Sequence, residues 1–208
     1  MNASAGLRDF GQAAAAVLDR LASDRRLLGR LVAEIEHDPE RLEASRVTLL
    51  LNRLSLYRAN ERGFEIRVNM NPRHANQLVP HDHAYNFAVH VLAGGYVHVM
   101  RRRTDSWTGE FTSADLVPSV VTVERPGSTY TLGHPMVHQA VMLPGTVSLF
   151  LRGPRLKTRS HAATDLLPGR DTWPAPAESG AVPVHSRPAS RDEYMAMRSQ
   201  LVRQGLIG

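Results

Sequence analysis

Apolar side chains recur every three or four positions between residues 8 and 56, and from residue 64 they alternate with polar ones. Leu18, Leu21, Leu27, Leu28, Leu31, Val32 and Ile35 fall on one stripe, which Leu42, Val47, Leu50, Leu51 and Leu54 continue. That period predicts helices over 8–56. Asp38-Pro39-Glu40 reads as a helix start, because proline at the first helical position gives up no hydrogen bond. Phe64-Glu65-Ile66-Arg67-Val68-Asn69-Met70 alternates strictly, the mark of a half-buried strand. Short β segments follow at Asn86–Leu92, Tyr96–Arg102, Ser106–Phe111, Ser119–Glu124, Thr129–Leu132, Val137–Leu143 and Thr146–Arg152. Gly94-Gly95, Pro126-Gly127, Gly133-His134-Pro135 and Pro144-Gly145 supply the turns between them. Many short strands at this spacing predict a sandwich or barrel over 64–154. Residues 155–189 are rich in Pro, Gly, Ser and Ala and read as an extended arm, packed or mobile. Ser190-Arg191-Asp192-Glu193 then caps a short terminal helix carrying Tyr194, Met197, Leu201 and Val202.

A chain of 208 residues suits one domain, expected to span 1–208 with helices at 8–56, a barrel at 64–154 and an arm and helix at 155–208. No run of about eighteen apolar residues offers a membrane span. The first twenty residues carry charges within their apolar stretch and lack a cleavable signal pattern, so the expected location is cytoplasmic. The absence of cysteine removes disulfides, thiolate catalysis and Cys-ligated zinc, leaving His, Asp and Glu as metal ligands. The net charge is +5, and Lys157 is the only lysine. A basic chain raises the question of nucleic acid. The arginines are scattered among acids, however, and the one run, Arg101-Arg102-Arg103, precedes Thr104-Asp105 in a hairpin, where a solvated turn explains it. Neither nucleic acid nor membrane is therefore an expected partner; a homodimer is compatible.

Among ten histidines, placement singles out three. His81-Asp82-His83 is an H-x-H pair at a strand start, and residues two apart on a strand point to one face. Two adjacent imidazoles form half of a first-row metal site. His138 lies in a later strand, which a barrel can bring beside the first.

With these residues the chain resembles the cupin family, whose first motif is H-x-H with a later glutamate and glycine, and whose second is P-x-G followed by histidine. His81-Asp82-His83, Gly95 and His138 match, with Pro126-Gly127 standing loosely for P-x-G. The glutamate slot falls at Phe87 or Ala88. This departure is that of the three-histidine cupins, including the cysteine dioxygenase-like group, which bind iron(II). HDHAYNFAVHVLAGG is similar to that group's first motif, Thr146–Pro154 to its second-motif strand, and Leu56-Tyr57-Arg58 to the segment carrying its substrate-carboxylate arginine. The likeness covers roughly residues 55 to 155. It implies a mainly β fold, a cupin (double-stranded β-helix or jelly-roll) barrel, with Fe(II) on His81, His83 and His138. Two features depart from it. The crosslinking cysteine of some members falls at Ala88, and the Ser-His-Tyr relay falls at Ser148, Phe150 and Arg152, so only the serine remains.

Arg152 ends a strand whose alternate residues, Ser148 and Phe150 among them, should line the interior, where an arginine needs an acidic partner from the substrate or from the protein. Arg58, Arg152, Ser148 and Phe150 are thus the expected substrate-binding residues. His90, two positions beyond the glutamate slot, is the candidate catalytic base, with a fourth ligand or a packed histidine as its other readings. His98 reads as structural, and His37, His74, His161 and His185 receive no role. The expected activity is that of a non-haem iron(II) oxygenase acting on a small carboxylate-bearing molecule. The alternatives are a non-redox metal-dependent isomerase, epimerase or lyase, and a non-catalytic ligand-binding cupin.

Overall fold

A computed structural model describes residues 3–48, 50–59, 63–71, 76–105, 109–166 and 186–208. Three helices lead the chain: α1 (Ala3–Ser23), α2 (Arg25–Glu34) and α3 (Pro39–Ala44). Asp24 caps α2 by accepting from the Leu27 N–H at 2.9 Å, and Asp38 caps α3 by accepting from the Arg41 N–H at 3.0 Å. Pro39 begins α3, as the Asp38-Pro39-Glu40 pattern predicts.

Helix ends at Ala44, earlier than the apolar stripe predicts. Residues 46–48 and 52–59 are strands β1 (Arg46–Thr48) and β2 (Asn52–Ala59). Leu54 and Leu56 are buried on one side of β2, so the apolar spacing there was period two. The remaining strands are β3 (Phe64–Met70), β4 (Asn76–His81), β5 (Tyr85–Ala93), β6 (Tyr96–Arg103), β7 (Leu116–Glu124), β8 (Thr129–Leu132), β9 (Val137–Met142), β10 (Val147–Arg155) and β11 (Ser186–Pro188). Of the expected segment Ser106–Phe111, residues 106–108 lie outside the described residues, and Phe111 makes one isolated bridge, to Ala163. Of the expected arm, 167–185 lies outside them; β11 pairs with β1 and leads into α4 (Arg191–Arg203), capped by Ser190 and Glu193.

The strands form two antiparallel sheets, ordered β11-β1-β2-β3-β10-β5-β8 and β4-β9-β6-β7. From β3 to β10 the chain changes sheet at nearly every connection, the winding of a jelly-roll. The fold is mainly β, with helices at its N-terminal end and a short helix at its C-terminal end. Gly94-Gly95 makes the β5–β6 turn, where only glycine fits: a Cβ on Gly95 would stand 2.3 Å from the Glu124 carbonyl oxygen. Among the described residues no helix is long and apolar enough to cross a membrane.

Two cores decide what faces what. Leu18, Leu28, Val32, Tyr194 and Leu201 of the helices pack on Leu54, Val68, Met70, Ala88, Leu149 and Leu151 of the larger sheet. Between the sheets lie Phe87, Val89, Val91, Tyr96, Leu132, Ala140, Met142 and Phe150. The apolar face of β3 therefore turns outward to the helices, and Glu65, Arg67 and Asn69 turn inward, none more than 9% exposed. Alternation correctly marks β3 as a strand, but its polar face is enclosed where a half-buried strand would leave it in water.

Candidate metal centre

His81 is the last residue of β4 and pairs directly with His138 of β9. His83 follows just beyond the strand, before β5. The intervening Asp82 points the other way and is buried, with Lys157 Nζ 2.5 Å from Oδ2 and the His161 N–H donating to Oδ1 at 2.7 Å. The Asp82 N–H donates to the His161 carbonyl at 2.9 Å. This clasp on residues 157–161 holds the H-x-H backbone in place, so both imidazoles turn inward toward His138.

One nitrogen from each ring can be chosen so that all three lie within 4.8 Å of one another. His83 Nε2 and His138 Nε2 are 2.9 Å apart. Two nitrogens bound about 2.1 Å from one ion at a right angle would be about 3.0 Å apart, so the spacing fits a shared metal. His81 Nδ1 lies 2.9 Å from the Val79 carbonyl, which can only accept, so Nδ1 holds the proton and Nε2 is free to ligate. Burial holds the His81 pKa below its ordinary value and pushes those of His83 and His138 well below theirs, with the neighbouring His81 adding to both. Three neutral imidazoles at this separation are the donor set of a divalent transition-metal site.

The walls around the triad are aromatic on one side and polar on the other. Phe87, which faces inward while its neighbour Ala88 faces the helices, packs edge-on to His83 with ring centres 4.6 Å apart and stacks on Phe150 at 5.1 Å. His98 lies 5.4 Å from His138, centre to centre, and its pKa is pushed down to about 4 by burial, then by His81. Tyr130 Oη lies 3.4 Å from His98 Nε2, and Tyr96 Oη is 2.7 Å from Ser148 Oγ.

Beyond Phe150 lies a buried ion cluster. Glu65 Oε2 accepts from Arg152 Nε at 2.7 Å and from an Arg67 terminal nitrogen at 3.3 Å. Arg67 Nε donates to Asn69 at 3.0 Å, and its guanidinium lies 4.1 Å over the Phe150 ring. Arg53 pairs in register with Asn69, which pairs with Ser148, so the three form a row across the sheet. Burial, followed by the charge of Arg67, draws the Arg53 pKa down to about 10.

Of the residues read from sequence, the three histidines converge, and Ser148, Phe150 and Arg152 share the interior face of β10. His90 does not join them. Phe87, Val89 and Val91 are the inward residues of β5, so His90 faces the helices with Ala88. Its Nδ1 sits 2.9 Å from Asp19 Oδ1 of α1 and 2.8 Å from Thr129 Oγ1. The expectation that His90 acts as a base at the metal is therefore corrected: it ties α1 to the sheet. His90→Ala should cost about 1 kcal/mol of stability, the scale of one part-exposed hydrogen-bonded contact, and leave metal content unchanged. A chemical melt with metal analysis checks both. Arg58 is likewise corrected. It stands across from Glu65 in register, past a bulge at Ser55–Tyr57, but is exposed in a groove with Glu34, Asp38 and Arg41. Arg67 and Arg152 are the guanidiniums bonded to Glu65. The sequence reading passed over Arg53, Glu65, Arg67, Tyr96 and Tyr130. The polar face of β3 was the signal for two of them; it had been read as solvated.

No family model matches the chain, and no curated protein matches it by sequence. Among solved structures, KdgF from Halomonas sp. is similar at 18% identity with a TM-score of 0.38, over 50% of this chain and 79% of that one. An RmlC-like cupin from Shewanella frigidimarina is similar at 16% identity and TM-score 0.37, over 50% and 76%. Fe(II) HppE is similar at 12% identity and TM-score 0.38, over 52% of this chain and 55% of its own.

Proposed function

We propose that the protein is a mononuclear non-haem iron(II) oxygenase of the cupin type, acting on a small carboxylate-bearing molecule. The observation that carries this reading is the donor set: three neutral histidines, with Phe87 in place of a carboxylate ligand. Iron(II) held by His81, His83 and His138 would supply open positions for dioxygen and for a chelating substrate. The chain's own contribution is to hold and enclose the substrate. Phe87 and Phe150 cover the site with apolar surface, and Arg67 and Arg152, tethered by Glu65, present positive charge from the floor. Ser148 and Tyr96, joined at 2.7 Å, provide hydroxyls that can hold a polar group or pass a proton at Ser148 Oγ. The non-redox alternative relied on His90 as base, and His90 instead bonds Asp19 and Thr129 on the helix side.

The test is oxygen uptake by protein loaded with iron(II) and offered a panel of small amino, hydroxy and dicarboxylic acids. At least one acid should drive uptake, with none after zinc replaces iron or His138 is replaced by Ala. Free cysteine should be a poor substrate, because Phe150 and Arg152 stand where the thiol dioxygenase relay needs His and Tyr. Turnover at equal rate with zinc, without oxygen uptake, would overturn the oxygenase reading.

A further inference from the structure

We infer that Arg53 and Arg67 form a recognition site inside the barrel for a doubly charged oxyanion, the end of a ligand that reaches toward the three histidines. The inference deepens the oxygenase reading and rests on it only for calling that ligand a substrate. Among the described residues, the guanidiniums of Arg53, Arg67 and Arg152 meet one carboxylate, Glu65, bonded to the latter two, which leaves two positive charges in excess. Glu65 Oε2 is already taken by Arg152 and Arg67. Arg53 Nε is fully enclosed and has no acceptor among the described residues. The charges acting on Arg53 are led by the repulsive Arg67, ahead of Glu65.

An enclosed guanidinium stays charged at neutral pH and destabilises a protein unless something pairs with it. Among the described residues no carboxylate bonds Arg53, and Arg67 shares Glu65 with Arg152, so the Arg53–Arg67 pair is a site awaiting its partner. A guanidinium fork matches carboxylate and phosphate oxygens in pairs, and two excess charges favour a dianion over a monoanion. The site adjoins the metal centre. Arg67 lies over Phe150, Phe150 stacks on Phe87, and Phe87 touches His83. Both Arg67 and Arg53 are among the charges acting on His83. A ligand whose dianionic end sits on the arginines and whose other end reaches the histidines is therefore only a few atoms long: a small molecule ending in a malonate-like pair of carboxylates or in a phosphate ester.

The experiment is a thermal melt of the metal-free full chain in malonate, inorganic phosphate, acetate or chloride at matched ionic strength. At least one dianion should raise the Tm by several degrees, and acetate and chloride should not. A response to malonate alone marks a dicarboxylate ligand, and one to phosphate alone a phosphate ester. Arg53→Met should melt no lower than the unsubstituted chain without anion, and should lose the shift. If that variant fails to fold, Arg53→Lys keeps the charge, loses the fork and should need about tenfold more anion. Arg58→Met should respond like the unsubstituted chain. Absence of any dianion shift, a shift equally large in acetate, or an undiminished response in the Arg53 variants would overturn the inference. His81→Ala should retain the shift, so a failure of the metal reading would leave this result readable.

Discussion

Replacing His81, His83 or His138 with alanine will each abolish stoichiometric metal binding. The expected loss of affinity is about three orders of magnitude, roughly 4 kcal/mol. Each ring supplies one of three donors gathered within 4.8 Å, and among the described residues no carboxylate joins that group, while the Phe87 ring packs against His83. Metal that binds only the folded chain stabilises it, by about 4 kcal/mol at a thousandfold excess over Kd. Chelation should therefore lower the Tm of the unsubstituted protein and leave the three variants unchanged. His98→Gln is the control: it changes a neighbour of His138 that is not a ligand, and metal should stay. Metal analysis after dialysis reads the outcome. Full retention in any two of the three alanine variants would contradict the assignment.

Glu65→Gln should be strongly destabilising. It removes the one carboxylate among the described residues that is bonded to Arg67 and Arg152, whose side chains are 9% and 24% exposed. Breaking a buried pair and stranding its partners costs about 3–5 kcal/mol. Burial alone would raise the Glu65 pKa, but Arg67, Arg152 and Arg53 outweigh it and leave the value below the ordinary 4.5. A depressed carboxyl contributes its stability in full above about 4.5 and loses it as pH falls through the folded value. Urea melts should show the variant flatter than the parent between pH 5 and 3, as about one carboxylate's worth of acid sensitivity disappears. Glu193→Gln, which breaks the exposed pair with Arg187, should barely move the midpoint. Equal effects from the two substitutions would mean that the Glu65 cluster is solvated.

The convergence of the three histidines was legible because its signal is local. An H-x-H at a strand start places two rings together, and β4–β9 pairing brings the third. The β class was legible too, from strict alternation at 64–70 and from glycine turns such as Gly94-Gly95. What alternation cannot state is which face meets water. Glu65-x-Arg67-x-Asn69 looks like a solvated edge until α1, α2 and α4 are seen covering the opposite side. The error at His90 has the same origin: a phase shift of one residue, from Phe87 to Ala88, moves every β5 side chain to the other face. Arg53 was hidden differently. Leu50, Leu51 and Leu54 fit a helical stripe as well as a strand, which hides β2 and with it the inward face that carries Arg53.

The most direct test is a crystal structure of iron- or zinc-loaded protein with anomalous data collected at the metal's absorption edge. A single strong peak bonded to one nitrogen each of His81, His83 and His138, beside the Phe87 ring, is the predicted result. A peak coordinated elsewhere, or none in protein soaked with excess metal, would contradict it.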